Sequence, residues 1–351
     1  MEKHCSSLED IVKRCALRAG LDLCGIAPAH PLTDIKDILF KRRQMGYTTP
    51  FEHRDIDLRC YPERLMANVR SIIVVAKGYN VPSSKRPSGA PHHPTGRFSK
   101  ISRGRDYHLV MKGKVELMIE KLLGYITFDY KYYVDTGPLP EKELARKAGI
   151  GWFGKNNLII NEKLGSFMVL GHILTDLPLR ADKAAVNRCG NCDRCIRACP
   201  TGAIVSPHTV NCSKCLAYLT QAKDNIPPEL LDKFGNLLYG CDLCQDACPY
   251  NKKAWKNSDR DFMADEWTLD PELEAILNLT DKEFKEVFGH KACGWRGINT
   301  LKRNAIIALG NSRHPQALEI LKRLRNSNPP RHLMPYIDWA VNKCFTWNNN
   351  I

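Results

Sequence analysis

At 351 residues the chain is long enough for two or three domains. With 43% apolar and 26% charged residues, its composition excludes a largely disordered, collagen-like or membrane-embedded protein. Lys and Arg outnumber Asp and Glu by 52 to 38, a formal charge of +14, which favours a polyanionic partner.

The opening residues mix charges of both signs without an apolar signal segment, and no stretch approaches roughly twenty uncharged apolar residues. The expected setting is the reducing cytosol, without membrane contact, where thiols stay available for metal. In chain order, Leu8, Ile11, Val12, Cys15 and Ala16 recur at helical spacing over 8–20. A short apolar segment at 23–28 follows as a first strand. SIIVVAKGY at 71–79 is continuously apolar, the pattern of a strand covered on both faces, which favours α/β layering. Residues 80–108 are rich in Pro, Gly, Ser and basic side chains and read as one long surface loop. A helix over 109–123, a strand over 130–136, a helix over 141–149 and a buried strand over 166–175 complete the N-terminal part. Beyond residue 255 the pattern is helical. Apolar stripes at Leu301, Ala305 and Leu309, at Leu318, Leu321 and Leu324, and at Ile337, Val341 and Cys344 are separated by Gly310–Asn311 and by Asn328, Pro329 and Pro330. Short helices joined in this way suggest a HEAT-like unit. The expected fold is therefore multidomain, mixing α/β and α+β layering, with boundaries at 1–180, 181–255 and 256–351.

Nine of the fifteen cysteines fall between residues 189 and 248, too clustered for a disulfide framework. Cys189, Cys192, Cys195 and Cys199 followed by Pro200 form C-x2-C-x2-C-x3-C-P, the run of two-cluster bacterial ferredoxins. Three thiolates on a tight loop hold one cubane, and the fourth serves another. Cys241, Cys244 and Cys248, followed by Pro249, repeat the theme. This assigns Cys189, Cys192, Cys195 and Cys248 to a first [4Fe-4S] cluster, and Cys199, Cys241 and Cys244 to a second whose last ligand is Cys212 or Cys215. Paired C-x2-C ligands also suit zinc, but a three-cysteine run with a trailing C-P has no tetrahedral rationale. Cys5, Cys15, Cys24, Cys60, Cys293 and Cys344 read as small buried apolar residues.

Two cubanes alone make an electron carrier, and the rest of the chain implies an acceptor. Gly149, Gly151 and Gly154 match G-x-G-x-x-G, yet a helical segment precedes them where a dinucleotide site needs a strand.

ISRGRDYH at 101–108, the stretch from DTGPLPEK through TDLPL at 135–179, CGNCDRCIRACPTGAI at 189–204, CLAYLT at 215–220, YGCDLCQDACPYNK at 239–252 and WRGINTLKRNAIIALGN at 295–311 resemble the epoxyqueuosine reductases. These are cobalamin-dependent, double-cluster enzymes that act on tRNA, and the resemblance covers nearly the whole chain. It selects Cys215 as the eighth ligand. It implies an N-terminal domain binding base-off cobalamin, a ferredoxin-like domain with two [4Fe-4S] clusters, and a C-terminal helical domain touching tRNA. The implied reaction reduces the epoxide of epoxyqueuosine at the wobble position to the alkene of queuosine. Asp135 matches the family's proton donor, at the end of the strand YKYYV where ligands of open sheets gather. By local chemistry alone it reads as a turn cap. Burial beside the corrin is expected to raise its pKa. Arg59, Arg103, Lys155, Asn156, Asn157, Gly165 and Ser166 match cofactor-contacting stretches. His108 is expected to be structural, since a base-off cofactor has no protein axial ligand. Where the family usually reads close to DSAPVLEK, this chain has DTGPLPEK at 135–142, which keeps Asp135, Pro138, Glu141 and Lys142 but alters the loop.

Residues 77–114 hold nine Lys or Arg against Asp106, and residues 296–351 hold nine against Glu319 and Asp338. Both are electrostatic candidates for phosphate contact. The C-terminal run, with Arg296, Lys302, Arg303 and Arg323, is preferred, because stacked helices present basic side chains on one face. The expected partners are a tRNA anticodon stem-loop and a low-potential donor such as ferredoxin or flavodoxin, with the protein a monomer. Phe98, Tyr107, Trp152 and Tyr250 offer stacking surfaces for a flipped base, or equally core packing. Two other readings compete: a related reductase acting on a small halogenated or epoxide-bearing molecule, and a two-cluster electron carrier without catalysis.

Overall fold

The computed structural model describes residues 7–82, 92–256 and 259–348. Cys5 and, within the long loop, Lys85 and Arg86 lie outside them. The chain forms two compact units that interleave: Met1–Asn80 with His108–Ser213 and Leu243–Asn257, and Val81–Tyr107 with Lys214–Asp242 and Ser258–Ile351. These units do not follow the boundaries 1–180, 181–255 and 256–351, since the cysteine-rich segment contributes to both. Compactness follows from which apolar faces meet, and spacing along the chain carries no direct record of that.

In the first unit, Ser7 opens the helix Leu8–Arg18 through a capping box. Its hydroxyl accepts the Asp10 N–H at 3.1 Å, and the Asp10 carboxylate accepts the Ser7 N–H at 3.3 Å. Four strands form the central sheet in the order Leu23–Pro28, Ser71–Gly78, Met168–Thr175, Tyr130–Tyr133. Every neighbouring pair is antiparallel. All eight residues of Ser71–Gly78 are buried, because both sheet faces are covered. Ile73 and Val75 face a core with Val12, Ala16, Met111 and Met118. Ile72 and Val74 face the other, with Leu144 and Ala145 of the helix Glu141–Lys147. The layering thus follows the apolar run, but the polarity differs from a doubly wound parallel sheet. Coverage dictates composition, whereas strand direction depends on the connections, which composition does not encode. Two short helices, Lys36–Gln44 and Ile56–Cys60, are additional to the sequence expectations, since their charged sequences carry little periodicity.

In the second unit, Arg97–Phe98 pairs in parallel with Leu237–Tyr239. Its core includes Phe98 and Phe288, with rings 5.6 Å apart. The helix Ile298–Ser312 buries Leu301, Ala305 and Leu309 as the stripe requires, among neighbours from the helices Ala317–Asn326 and Met334–Asn348. Gly310 does not separate helices: it lies inside Ile298–Ser312, and a Cβ there would stand 2.9 Å from the Ala340 Cβ. The glycine lets two helices approach closely, and the helix ends at Arg313 in the left-handed region, φ 53°. No helix of the described residues is long and apolar enough to cross a membrane.

Candidate functional site

The strand Tyr130–Tyr133 stops before Asp135, so the aspartate lies in a turn rather than in the strand expected over 130–136. Asp135 adopts φ 59°, a left-handed conformation that costs a non-glycine residue about 1–2 kcal/mol. What holds it is visible. The Asp135 N–H donates to Glu141 Oε1 at 2.9 Å, and Glu141 sits at the start of the helix Glu141–Lys147. His172, fully buried in the strand Met168–Thr175, places Nδ1 3.3 Å from the same oxygen, off the angle of a good hydrogen bond. Its ring stacks on Tyr133 at 5.4 Å. Burial pushes the Glu141 carboxyl above its ordinary pKa, opposed by His172.

Gly137 fits this packing. A Cβ there would stand 2.7 Å from the Tyr133 Cβ and 3.1 Å from the His172 Cε1, so the altered loop is matched to Tyr133 and His172.

The Asp135 side chain is 58% exposed, with Oδ2 3.4 Å from His108 Nε2. Within this unit the carboxyl is open, and His108 stands beside the candidate acid, pairing with the carboxylate as an ion only when its imidazole is protonated. Because the sheet is antiparallel, the strand-end rule for parallel sheets does not explain the location.

Lys142 is the further member of this neighbourhood. Its Nζ donates to the Asn157 carbonyl at 3.0 Å, and Asn157 itself adopts φ 59°. Desolvation by surrounding protein lowers the Lys142 pKa, with Arg42, Glu52 and Asp135 among its neighbours. Glu52 joins Arg59 at 3.1 Å and Arg42 at 3.0 Å. Glu141 and Lys142 are named by the motif but have no role in the sequence reading. A lone histidine inside an apolar strand, as at His172, was the available signal for the third.

The remaining cofactor candidates divide. Lys155 gives its carbonyl to the His208 N–H at 3.0 Å, and buried Asn156 receives the Leu158 N–H at 3.3 Å. Arg103 belongs to the second unit, where its Nε donates to the Phe98 carbonyl at 3.1 Å. Gly165 and Ser166 are used differently from the expectation. Asn251 Oδ1 accepts the Ser166 N–H at 2.6 Å, and Ser166 Oγ donates to Gln245 Oε1 at 2.9 Å. A Cβ on Gly165 would lie 2.0 Å from Asn251 Oδ1. These two residues pack against the segment that follows Cys244.

The described cysteines are free of disulfides. Cys189, Cys192, Cys195 and Cys248 share one neighbourhood. Burial raises the pKa of the Cys248 thiol, near Cys189 and Cys192, and that of the Cys195 thiol, near Cys189 and Cys248. Of the second expected set, Cys199 and Cys244 belong to the first unit, Cys215 and Cys241 to the second. Cys212 is already engaged, receiving a hydrogen bond from Arg42 Nη2 at 3.4 Å. Among the described residues no three His, Cys, Asp or Glu side chains converge on a single metal ion. Gly149, Gly151 and Gly154 lead from a helix into the hairpin Trp152–Phe153 with Ile159–Ile160, not from a strand into a helix.

The basic runs are partly neutralised. Lys77 is buried against Asp22 at 3.1 Å. Arg303, expected to touch phosphate, is 5% exposed. Its guanidinium donates to the carbonyls of Leu219 (2.9 Å) and Ala222 and to Asn304 Oδ1, so it ties the unit together, and it also lines a cavity with Arg296. Arg323 pairs with Glu274 and Glu319, each at 2.7 Å. Arg296 lies over the Trp295 ring at 4.6 Å, and both line a cavity of about 570 Å³ with Lys223, Lys285 and His332. Lys302, Arg313 and Arg331 make no ion pair with described residues. Phe98 and Trp152 are buried and offer no face to a flipped base.

Comparison with known proteins bears on all of this. A family model described as epoxyqueuosine reductase QueG, DUF1730, matches residues 59–136, and a 4Fe-4S double cluster binding domain matches 188–251. The chain is 36% identical to the epoxyqueuosine reductase of Bacillus cereus, over 92% of this chain and 86% of that one. It is 34% identical to that of Escherichia coli, over 96% and 89%. A crystal structure of epoxyqueuosine reductase with an epoxyqueuosine-modified tyrosine tRNA stem loop superposes with a TM-score of 0.91 at 34% identity, covering 96% of this chain and 90% of that one. The Bacillus subtilis enzyme, solved with its catalytic aspartate loop swung out of the active site, gives 0.88 at 33%, over 96% and 91%. With a family-specific N-terminal segment, a double-cluster segment and a common fold over nearly its whole length, the chain belongs to the epoxyqueuosine reductase family.

Proposed function

We propose that this iron–sulfur oxidoreductase converts epoxyqueuosine to queuosine at the wobble position of tRNA with Asp135 as proton donor. The epoxide takes up two electrons and two protons, a C=C bond replaces the two C–O bonds, and the oxygen leaves as water. The observation that carries the role of Asp135 is its left-handed turn, held by Glu141, which presents an exposed carboxyl beside His108. Such strain at a single non-glycine residue is typical of functional positions. His108 Nε2 lies 3.4 Å from Asp135 Oδ2, close enough to return a proton to the carboxyl once it has protonated the departing alkoxide.

The thiol sets fit clusters. Cys189, Cys192, Cys195 and Cys248 would hold the first, and Cys199, Cys215, Cys241 and Cys244 the second. The match of CLAYLT at 215–220 to the family's isolated ligand position favours Cys215 as the eighth ligand. On the family match we assign the surface around Asp135, Lys142 and Asn157 to base-off cobalamin, with Arg59, Lys155 and the Asn156–Asn157 backbone beside it. When bound, cobalamin supplies a strongly nucleophilic, reducing cobalt, fed with single electrons through the clusters from a low-potential donor. Lys142 and Arg59 bring positive charge to that surface. The C-terminal helices, as a HEAT-like unit, would meet tRNA phosphates through Arg296, Lys302, Arg313 and Arg331.

The test is an anaerobic reconstituted turnover with cobalamin, a strong one-electron reductant and epoxyqueuosine-containing tRNA, read by mass spectrometry of nucleosides. Loss of one oxygen, abolished by Asp135→Asn and by omitting cobalamin, is expected. No conversion by protein loaded with iron, sulfide and cobalt would overturn the assignment.

A further inference from the structure

The indole N–H of Trp152 is a buried donor without an acceptor. The residue is 4% exposed, and Nε1 has no hydrogen-bond partner among the described residues. Leaving a buried N–H unpaired is costly, so native structures rarely do it without a ligand, ion or water to complete it. The position is also built. Tyr250 meets the indole edge to face at 4.9 Å, and its hydroxyl donates to the Arg188 carbonyl at 3.1 Å. The Arg188 guanidinium lies 5.9 Å from the ring centroid. The ring is thereby fixed on both sides.

Its surroundings identify the missing acceptor. Trp152, Ile160 and Cys248 form one small core, with Cys189, Ala185 and Tyr250 packed against it. Two of the four thiols assigned to the first cluster thus share a core with the unpaired N–H. No carbonyl or carboxylate among the described residues takes the bond, and the sulfurs of a thiolate-held cubane are the acceptors that the site would bring.

We propose that Trp152 donates a hydrogen bond from Nε1 to a sulfur of the first [4Fe-4S] cluster and thereby raises its reduction potential. This rests on the cluster assignment to Cys189, Cys192, Cys195 and Cys248. Reduction adds negative charge to the cluster, and a fixed N–H dipole stabilises the reduced state more than the oxidised one. Trp152 is a positioning and tuning residue, not a catalytic one. Its role is to make the first cluster easier to reduce by an external donor.

The experiment is a redox titration of the holoprotein followed by EPR, with wild type, Trp152→Phe and a protein carrying at position 152 the benzothiophene analogue of tryptophan. The analogue keeps the shape and replaces the N–H by sulfur, so it decides the question if Trp152→Phe fails to assemble. Both substitutions should lower the potential of one cluster and leave the other unchanged. The expected fall is up to tenfold in the electron equilibrium constant, about 59 mV for a one-electron centre. Wild-type protein with isotope-labelled indole nitrogen should show a hyperfine coupling to the reduced cluster that Trp152→Phe removes. An unchanged potential and no coupling, in protein with full iron and sulfide, would overturn the proposal. The ligand assignment is checked separately: if Cys248→Ala keeps both cluster signals, that assignment fails instead.

Discussion

Removing the acceptor that holds the Asp135 turn isolates the role of Glu141. In the structure the Asp135 N–H donates to Glu141 Oε1 at 2.9 Å, and Asp135 sits at φ 59°. A hydrogen bond to a charged acceptor contributes about 1.5–3 kcal/mol and to a neutral one about 0.5–1.5 kcal/mol. The left-handed conformation opposes it by about 1–2 kcal/mol. Glu141→Ala leaves the strain without the bond, so the turn should relax and the competent population fall by about 10- to 100-fold, at roughly 1.4 kcal/mol per tenfold. Glu141→Gln keeps an oxygen acceptor and should stay within about tenfold of wild type. The assay is kcat/KM on an epoxyqueuosine-containing stem-loop, with Tm measured alongside. A Glu141→Ala protein within about twofold of wild-type kcat/KM would refute the reasoning.

The same residue sets a pH dependence. Folding raises the Glu141 pKa above its ordinary value of 4.5, so its contribution to stability is full below that value and is lost as pH rises through the raised pKa. Glu141→Gln does not titrate, so the stability of the variant relative to wild type should increase with pH across that window, as chemical denaturation at several pH values would show. Gly137→Ala should displace the Asp135 turn, since the added Cβ lies 2.7 Å from the Tyr133 Cβ. The expected result is a loss of activity exceeding any loss of Tm. Arg303→Met should lower stability by about 3–5 kcal/mol, through buried carbonyls left unpaired at Leu219 and Ala222. Lys302→Ala and Arg331→Ala should each weaken tRNA binding and reduce the salt slope by about 1. Cys215→Ala should lose one cluster by iron, sulfide and EPR analysis, whereas Cys212→Ala should retain both.

Local spacing made the cysteine chemistry legible. C-x2-C-x2-C-x3-C-P is a ligand geometry written along one loop, so the neighbourhood of Cys189, Cys192 and Cys195 with Cys248 was readable before any fold. Both-sided coverage of Ser71–Gly78 was readable too, because burial on two faces demands an unbroken apolar run. Asp135 was found through a motif resemblance. By its own chemistry it read as a turn cap, and its exposure and its His108 partner were not deducible.

What the sequence determined by itself, then, was the element-scale and ligand-scale content: apolar periodicity, cluster-forming thiols, net positive charge and a family motif. Tertiary structure alone decided that the sheet is antiparallel, that the segments of the two compact units alternate along the chain, and that Arg303 is buried against the carbonyls of Leu219 and Ala222. It also decided that Gly310 joins two helices, that Glu141 and His172 pack beside the Asp135 turn, and that the Trp152 N–H is buried without an acceptor among the described residues. The physical reason is range. Helical and strand periodicity and metal-loop spacing act between residues close along the chain, whereas burial of a charge or an unpaired donor depends on segments that meet only after folding.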